Sequence, residues 1–372
     1  MRQSITFFLL LILLTMQSCT KDETNSSYTT NQEWKHHRGD NKNSGFTKGR
    51  LPANGFLSPL WEYDNGKDFL NNLVVSNNRV FITRDSLRIL DLNTGKVLYR
   101  NKSISGCQPT LDANFMYLGN VDGSLIKFDY KINEIVWQKT LDHITCSTPI
   151  IESENILLTA EDYLYCISVN GDELWRAQIG ATSNVNVAVN EGVCYIGNID
   201  GEVFAINIQS GTILWKKTGL RSIKSIPIFA GNVLIIGAEN GNLYGMNPND
   251  GTIKWNFKAN DKMRFNIGAS DGKNVVYNAK SLAPAFTADS LYCISVSNGS
   301  IKWATESDDD FQQTVLIVND KLLCHVEGKF SLVDINSGTK IWEYFSYIHD
   351  TPILFGDKML INLGKSMILV KY

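Results

Sequence analysis

Any nucleophilic, redox or metal chemistry in this chain would have to draw on its seven cysteines and five histidines. The histidines stand at 36, 37, 143, 325 and 349, and no two have the spacing that sets paired imidazoles on one helical face. The cysteines stand at 19, 107, 146, 166, 194, 293 and 324, with no Cys-x-x-Cys and no adjacent pair. Six remain after Cys19, an even number that admits bridges in an oxidising compartment. Cys166 and Cys293, however, each sit in the same string, Leu-Tyr-Cys-Ile-Ser, and Cys194 and Cys324 also fall in apolar runs. Cysteine acting as a small buried hydrophobe accounts for that placement better than a disulfide framework. His36-His37 could ligate a metal, but adjacent surface histidines are more often simply solvated, and nothing marks a nucleophile turn. The expectation is a protein with no catalytic residue, no resident metal and no cofactor.

The start of the chain reads as an address. Residues 1–18 form a targeting segment: Arg2 supplies the positive charge, and Ile5 to Met16 an apolar core. That core is shorter than the roughly 20 residues a membrane span needs. It ends at Gln17-Ser18-Cys19, which resembles a lipobox, although Met16 and Gln17 depart from the usual leucine and small residue. Cys19 is therefore the expected site of lipidation and the link to the membrane. Residues 19–33, polar and rich in Thr, Ser and Asn, read as a flexible tether. Lys21-Asp22-Glu23 resembles a signal that exports some lipoproteins to the cell surface. The expected location is the outer membrane, on its periplasmic face or at the surface. A net charge of −3, with no Lys/Arg-rich tract, argues against nucleic acid as a partner.

The elements that must carry any site are set by a repeat. Tryptophans stand at Trp61, Trp137, Trp175, Trp215, Trp255, Trp303 and Trp342, with Tyr99 in the one missing place; the intervals are 38 to 40 residues except for 48 before Trp303. A period near 40 without helical patterning points to four-stranded propeller blades. Within a period, short β-branched and aromatic runs alternate with Asp-Gly, Asn-Gly or Ser-Gly, the residues of tight hairpins. Gly119, Gly197 and Gly237 each open such a hairpin 18 residues before a tryptophan. Trp61 to Trp342 gives seven periods. Three further strands follow, and Pro59 to Tyr63 supplies their missing fourth. The fold class expected is all-β: an eight-bladed β-propeller of four-stranded antiparallel blades, closed by pairing the N-terminal strand with the C-terminal blade. It should occupy residues 57–372 and be monomeric.

The second hairpin of each period carries a resemblance. Ala205, Asn207, Ser210, Gly211 and Trp215 fit an eleven-residue motif, as do Asp334, Ser337, Gly338 and Trp342; Ile89, Asp91, Thr94, Gly95 and Tyr99 fit with tyrosine last. This resembles the pyrroloquinoline-quinone-type (PQQ-like) propeller family. Residues 34–56, with Trp34, Arg38, Gly39, Asp40, Asn43 and Gly45, resemble the leader of many members, which implies packing on the propeller. The repeating aromatics are structural, because one occurs in nearly every blade. Catalytic members hold a quinone with calcium over the channel, yet no calcium-ligand set or cysteine pair is present here. Lipid-anchored members instead imply a non-enzymatic scaffold for envelope proteins, with a role in outer-membrane protein assembly. The alternatives are a surface binder of glycan or another ligand and, less favoured, a quinoprotein oxidoreductase. The connections from each outer strand to the next inner strand open on one face. They hold the candidate docking rim: Asp142, His143, Arg221, Lys224, Lys262, Arg264, Asp308, Asp309, Asp310 and His349. The long interval before Trp303 holds an insertion over 277–290, where Leu282, Pro284 and Phe286 suggest a contact patch.

Overall fold

Runs such as Val-Phe-Ala-Ile-Asn have no helical period, are bounded by turn residues, and are short enough to be buried on both faces. In the computed structural model they are the third strands of antiparallel blades. The structure describes residues 34–371 except 36–37, 52–57, 67–72, 143–146, 183–185, 260–262, 282–288, 308–314, 327–328 and 345–351. Eight sheets result, and blade 4 is typical: Ala188–Asn190 innermost, then Val193–Gly197, Val203–Asn207 and Ile213–Lys217 at the outer edge. Its third strand is buried along nearly its whole length, while the outer strand is largely exposed. Among the described residues no helix is long and apolar enough to cross a membrane.

The ring closes through both chain ends. Ser58–Asp64 pairs antiparallel with Ser366–Lys371, placing Trp61 opposite Leu369, and so completes the blade of Ile353–Phe355 and Lys358–Asn362. The hydrophobic core is correspondingly distributed between neighbouring blades. One cluster joins Cys166 of blade 3 to Cys194 and Ile206 of blade 4, and the cluster at the closure spans blades 7, 8 and 1.

At six blade boundaries the repeating aromatic fastens one blade to the next. The indole N–H groups of Trp61, Trp137, Trp175, Trp215, Trp255 and Trp303 donate to carbonyls of the following blade, at 2.7 to 3.2 Å. The ring lies against the glycine of that blade's last hairpin. At Gly299, with φ +73°, a Cβ would stand 2.7 Å from the Trp255 ring, so the turn needs glycine both for its left-handed backbone and for the space. Blade 2 has Asn133 at this place, φ +61°, and the residue docked against blade 2 is Tyr99. The two exceptions explain each other: the asparagine Cβ fills the space an indole would need, and the smaller phenol packs instead on Phe128 at 5.7 Å. In all eight blades the pairing of the third and outer strands slips by one residue just before the aromatic. Such a bulge re-aims the side chain and twists the free edge away from further pairing.

The 48-residue interval has a structural origin. Blade 6 has longer strands, Met263–Ser270, Asn274–Ser281, Asp289–Ser295 and Ile301–Ser307, against an innermost strand of three residues in blade 5, Ile228–Ala230. Lys280 and Ser281, inside the 277–290 insertion, are therefore strand residues. Leu282, Pro284 and Phe286 lie outside the described residues.

Candidate functional site

Alternating strand directions sort the connections onto two faces. The outer-to-inner connections and the hairpins between second and third strands open on one, here the rim face; the other hairpins open on the opposite, hairpin face. On the rim face, between blades 4 and 5, lies a groove of about 700 Å³. Two tight turns form its walls, Asn198 to Gly201 in blade 4 and Ala238 to Gly241 in blade 5, and its floor is the connection around Leu220, Arg221 and Ser222. Backbone bonds hold that floor in place: Leu220 N–H donates to Gly201 at 3.1 Å and Ile223 N–H to Asn198 at 3.0 Å.

The groove is polar and mixed in charge. Lys224 pairs with Glu239 at 2.8 Å, which tethers the connection to the blade 5 turn. Lys258 donates to the Asn240 carbonyl at 3.2 Å. On the blade 4 side Glu202 pairs with Lys216 at 2.6 Å, and that ammonium holds the Glu202 carboxyl below its ordinary range. Arg221 and Asp200 also line the groove, but neither has a hydrogen-bond or ion-pair partner among the described residues. Ser222 Oγ is shielded from solvent and likewise lacks a partner. Ile199, at a turn tip where a polar residue would be usual, is 38% exposed beside them.

Of the rim residues selected from sequence, the structure brings together Arg221 and Lys224. Asp142 sits apart, between blades 2 and 3, in an ion pair with Arg176. Arg264 is placed on the innermost strand of blade 6, registered opposite Lys280. His143, Lys262, Asp308, Asp309, Asp310 and His349 lie outside the described residues, as does Cys19. Sequence reading passed over Asp200, Ser222, Glu239 and Lys258, because Asp-Gly and Asn-Gly strings are fully accounted for as turn formers. The signal that was present is an apolar Ile199 at the tip of such a turn.

The five described cysteines serve packing. Cys107, Cys166, Cys194, Cys293 and Cys324 are buried free thiols. Cys166 donates weakly to the Ile208 carbonyl that also receives Trp175, and Cys293 to the Ile335 carbonyl that receives Trp303, at 3.9 and 3.6 Å. Burial pushes both thiols up to about 12, far from the range of a reactive cysteine. Among the described residues no three His, Cys, Asp or Glu side chains group as metal ligands.

Eight four-stranded blades, with a docked indole at six of their boundaries and the ring closed by the two chain ends, define an eight-bladed PQQ-like β-propeller. The family model described as outer membrane protein assembly factor BamB matches residues 58–164 and 160–282, more than half of the chain, and the chain belongs to that family. Proteins named outer membrane protein assembly factor BamB are among its relatives. That of Nitrosomonas eutropha is 23% identical over 47% of this chain and 44% of its own length. That of Burkholderia pseudomallei is 24% identical over 46% and 48%, so the chain aligns with about half of each. That of Bordetella pertussis is 24% identical over 69% and 70%. Among solved structures, BamB from Moraxella catarrhalis superposes with a TM-score of 0.65 at 12% identity, over 85% of this chain and all of that one. A europium-containing methanol dehydrogenase superposes at 0.72 and 12% identity, over 90% and 89%. Likeness at such identities is likeness of fold.

Proposed function

We propose that this chain is a non-enzymatic, lipid-anchored scaffold of the bacterial envelope that docks a protein partner on its rim face, in the service of outer-membrane protein assembly. The observation that carries the reading is the groove between blades 4 and 5, where Arg221 and Asp200 present opposite charges that nothing among the described residues neutralises. Neighbouring charges such as Lys224 and Glu239 are consumed by the fold. A desolvated partner carboxylate facing Arg221 would gain a charge-assisted hydrogen bond, and exposed Ile199 supplies apolar contact beside it. Family membership and the BamB relatives support the assembly role. The lipobox-like Gln17-Ser18-Cys19 supports a lipid anchor at Cys19.

The test is co-purification of envelope proteins with the full chain and with the Arg221→Glu/Asp200→Lys double variant. Recovery of the partner should fall about tenfold or more, with an unchanged thermal midpoint because neither side chain supports the fold. Undiminished recovery would remove the groove from the proposal. The Lys21-Asp22-Glu23 string supports a second reading, display at the cell surface with glycan or another extracellular ligand. Protease treatment of intact cells separates the two, since only a displayed chain is cleaved.

A further inference from the structure

We infer that residues 34–35 and 38–49 are a clasp in cis: on the hairpin face they tie the ring together by its inner edge, so that the innermost strands they hold open as one unit. The innermost strand of each blade turns an unpaired edge toward the channel, and those N–H groups need acceptors. The leader supplies partners to that edge, acceptors in most blades and a donor in blade 3. Trp34 exchanges two backbone hydrogen bonds with Val75 of blade 1, at 2.7 and 3.0 Å, and the Lys35 carbonyl accepts from Leu111 of blade 2 at 3.0 Å. The Asn41 side chain donates to the Ile151 carbonyl of blade 3 at 2.7 Å. The carbonyls of Asn41, Lys42, Ser44 and Gly45 then accept from Val189, Phe229, Ser270 and Ile317, in blades 4, 5, 6 and 7, at 2.7 to 3.0 Å. Finally Phe46–Thr47 runs parallel to Val315–Val318 as a fifth strand of blade 7. Among the described residues, seven of the eight blades are thus held by one short segment.

Two side chains add clamps between blades. Arg38, 4% exposed, donates to the Gly268 carbonyl of blade 6 and the Val315 carbonyl of blade 7, the latter at 2.7 Å. Asn43, fully buried, donates to Val187 beside blade 4 and to Pro227 beside blade 5, at 2.9 and 3.1 Å. Asp40 fixes the turn between them, its Oδ1 accepting from the Lys42 and Ser44 N–H groups at 3.0 and 2.9 Å. Gly45, at φ +56°, lies where any Cβ would overlap the Arg38 guanidinium, so one added methyl should expel the clamp. The leader thereby does at the inner edge what the pairing of the chain ends does at the outer edge. The partner proposed above would meet the rim face whether or not the clasp is in place, so the two ideas fail separately.

Amide hydrogen exchange on the full chain tests the inference. In Gly45→Ala and in Asn43→Leu, peptides carrying Val75, Leu111, Val189, Phe229, Ser270 and Ile317 should all exchange about tenfold faster, together. Peptides 58–64 and 366–371 should keep their protection, and Lys48→Ala, whose side chain is exposed, should match the unaltered chain. Acceleration confined to the blades beside the altered residue, or absent, would overturn it. Should both variants fail to fold, the unaltered chain still decides: one shared opening free energy for the six amides supports the clasp, and blade-by-blade values contradict it.

Discussion

Replacing Trp255 with alanine is expected to lower the free energy of unfolding by about 3–5 kcal/mol, read as a shift of the denaturant midpoint. The side chain is 7% exposed and donates to Val296 at 2.8 Å, and its ring packs on Gly299 of blade 6. It also lies against its cross-strand partner Gly245, whose missing side chain lets the ring settle onto the backbone. Alanine therefore removes the indole from both the blade 5–6 seam and the strand beneath it, and leaves the Val296 carbonyl without this donor. Trp255→Phe, which retains most of the ring volume, should cost only about 1–2 kcal/mol, the scale of the lost hydrogen bond. Equal effects of the two substitutions would mean that the docking ring carries little of the seam's stability.

The second large effect concerns closure. Leu369→Asp should abolish the folded monomer: the chain would be recovered insoluble, or would be degraded by protease at concentrations the unaltered chain survives. Leu369 is fully buried on the third strand of blade 8, between Leu360 and Trp61, and helps join blades 7, 8 and 1. A carboxylate there is an unpaired charge in an apolar seam, worth about 3–5 kcal/mol on its own and more with the lost packing. Because this strand is the one that pairs with Ser58–Asp64, its loss also exposes two sheet edges to other chains. Lys371→Asp on the same strand is the control. Its side chain is exposed and makes an open ion pair with Asp357 at 3.3 Å, so the change should cost less than about 1 kcal/mol. A soluble, protease-resistant Leu369→Asp chain would show that the ring does not depend on this pairing.

Blade number and closure were legible in the sequence because both are written in local chemistry repeated many times: an aromatic at a fixed interval, a glycine turn before it, and three orphan strands after Trp342. The departures were legible only in part. Asn133 in place of a glycine and Tyr99 in place of a tryptophan were each visible, but not that they are one event, since the two residues meet across a blade boundary. The length of the blade 6 strands was hidden by an interval that reads equally well as a loop. The leader's course could not be read at all, because its partners are backbone carbonyls and N–H groups, which every residue possesses, tens to hundreds of positions away; Trp34 meets Val75, and Arg38 reaches Gly268 and Val315. The rim was found as a set of charged connections, but charge alone does not separate a spent side chain from a free one. Asp142 is taken by Arg176 and Lys224 by Glu239, whereas Arg221 is left to the groove.

The proposed scaffold docks its partner on one face of the ring only. Site-specific photo-crosslinking in intact cells tests this directly, with the reactive residue placed at Asp200 or Arg221 on the rim face and at Ser210 or Asn249 on exposed turns of the hairpin face. Adducts to an envelope protein from the first two positions and none from the second two are the predicted result. Adducts from Ser210 and Asn249, with silence at Asp200 and Arg221, would contradict it.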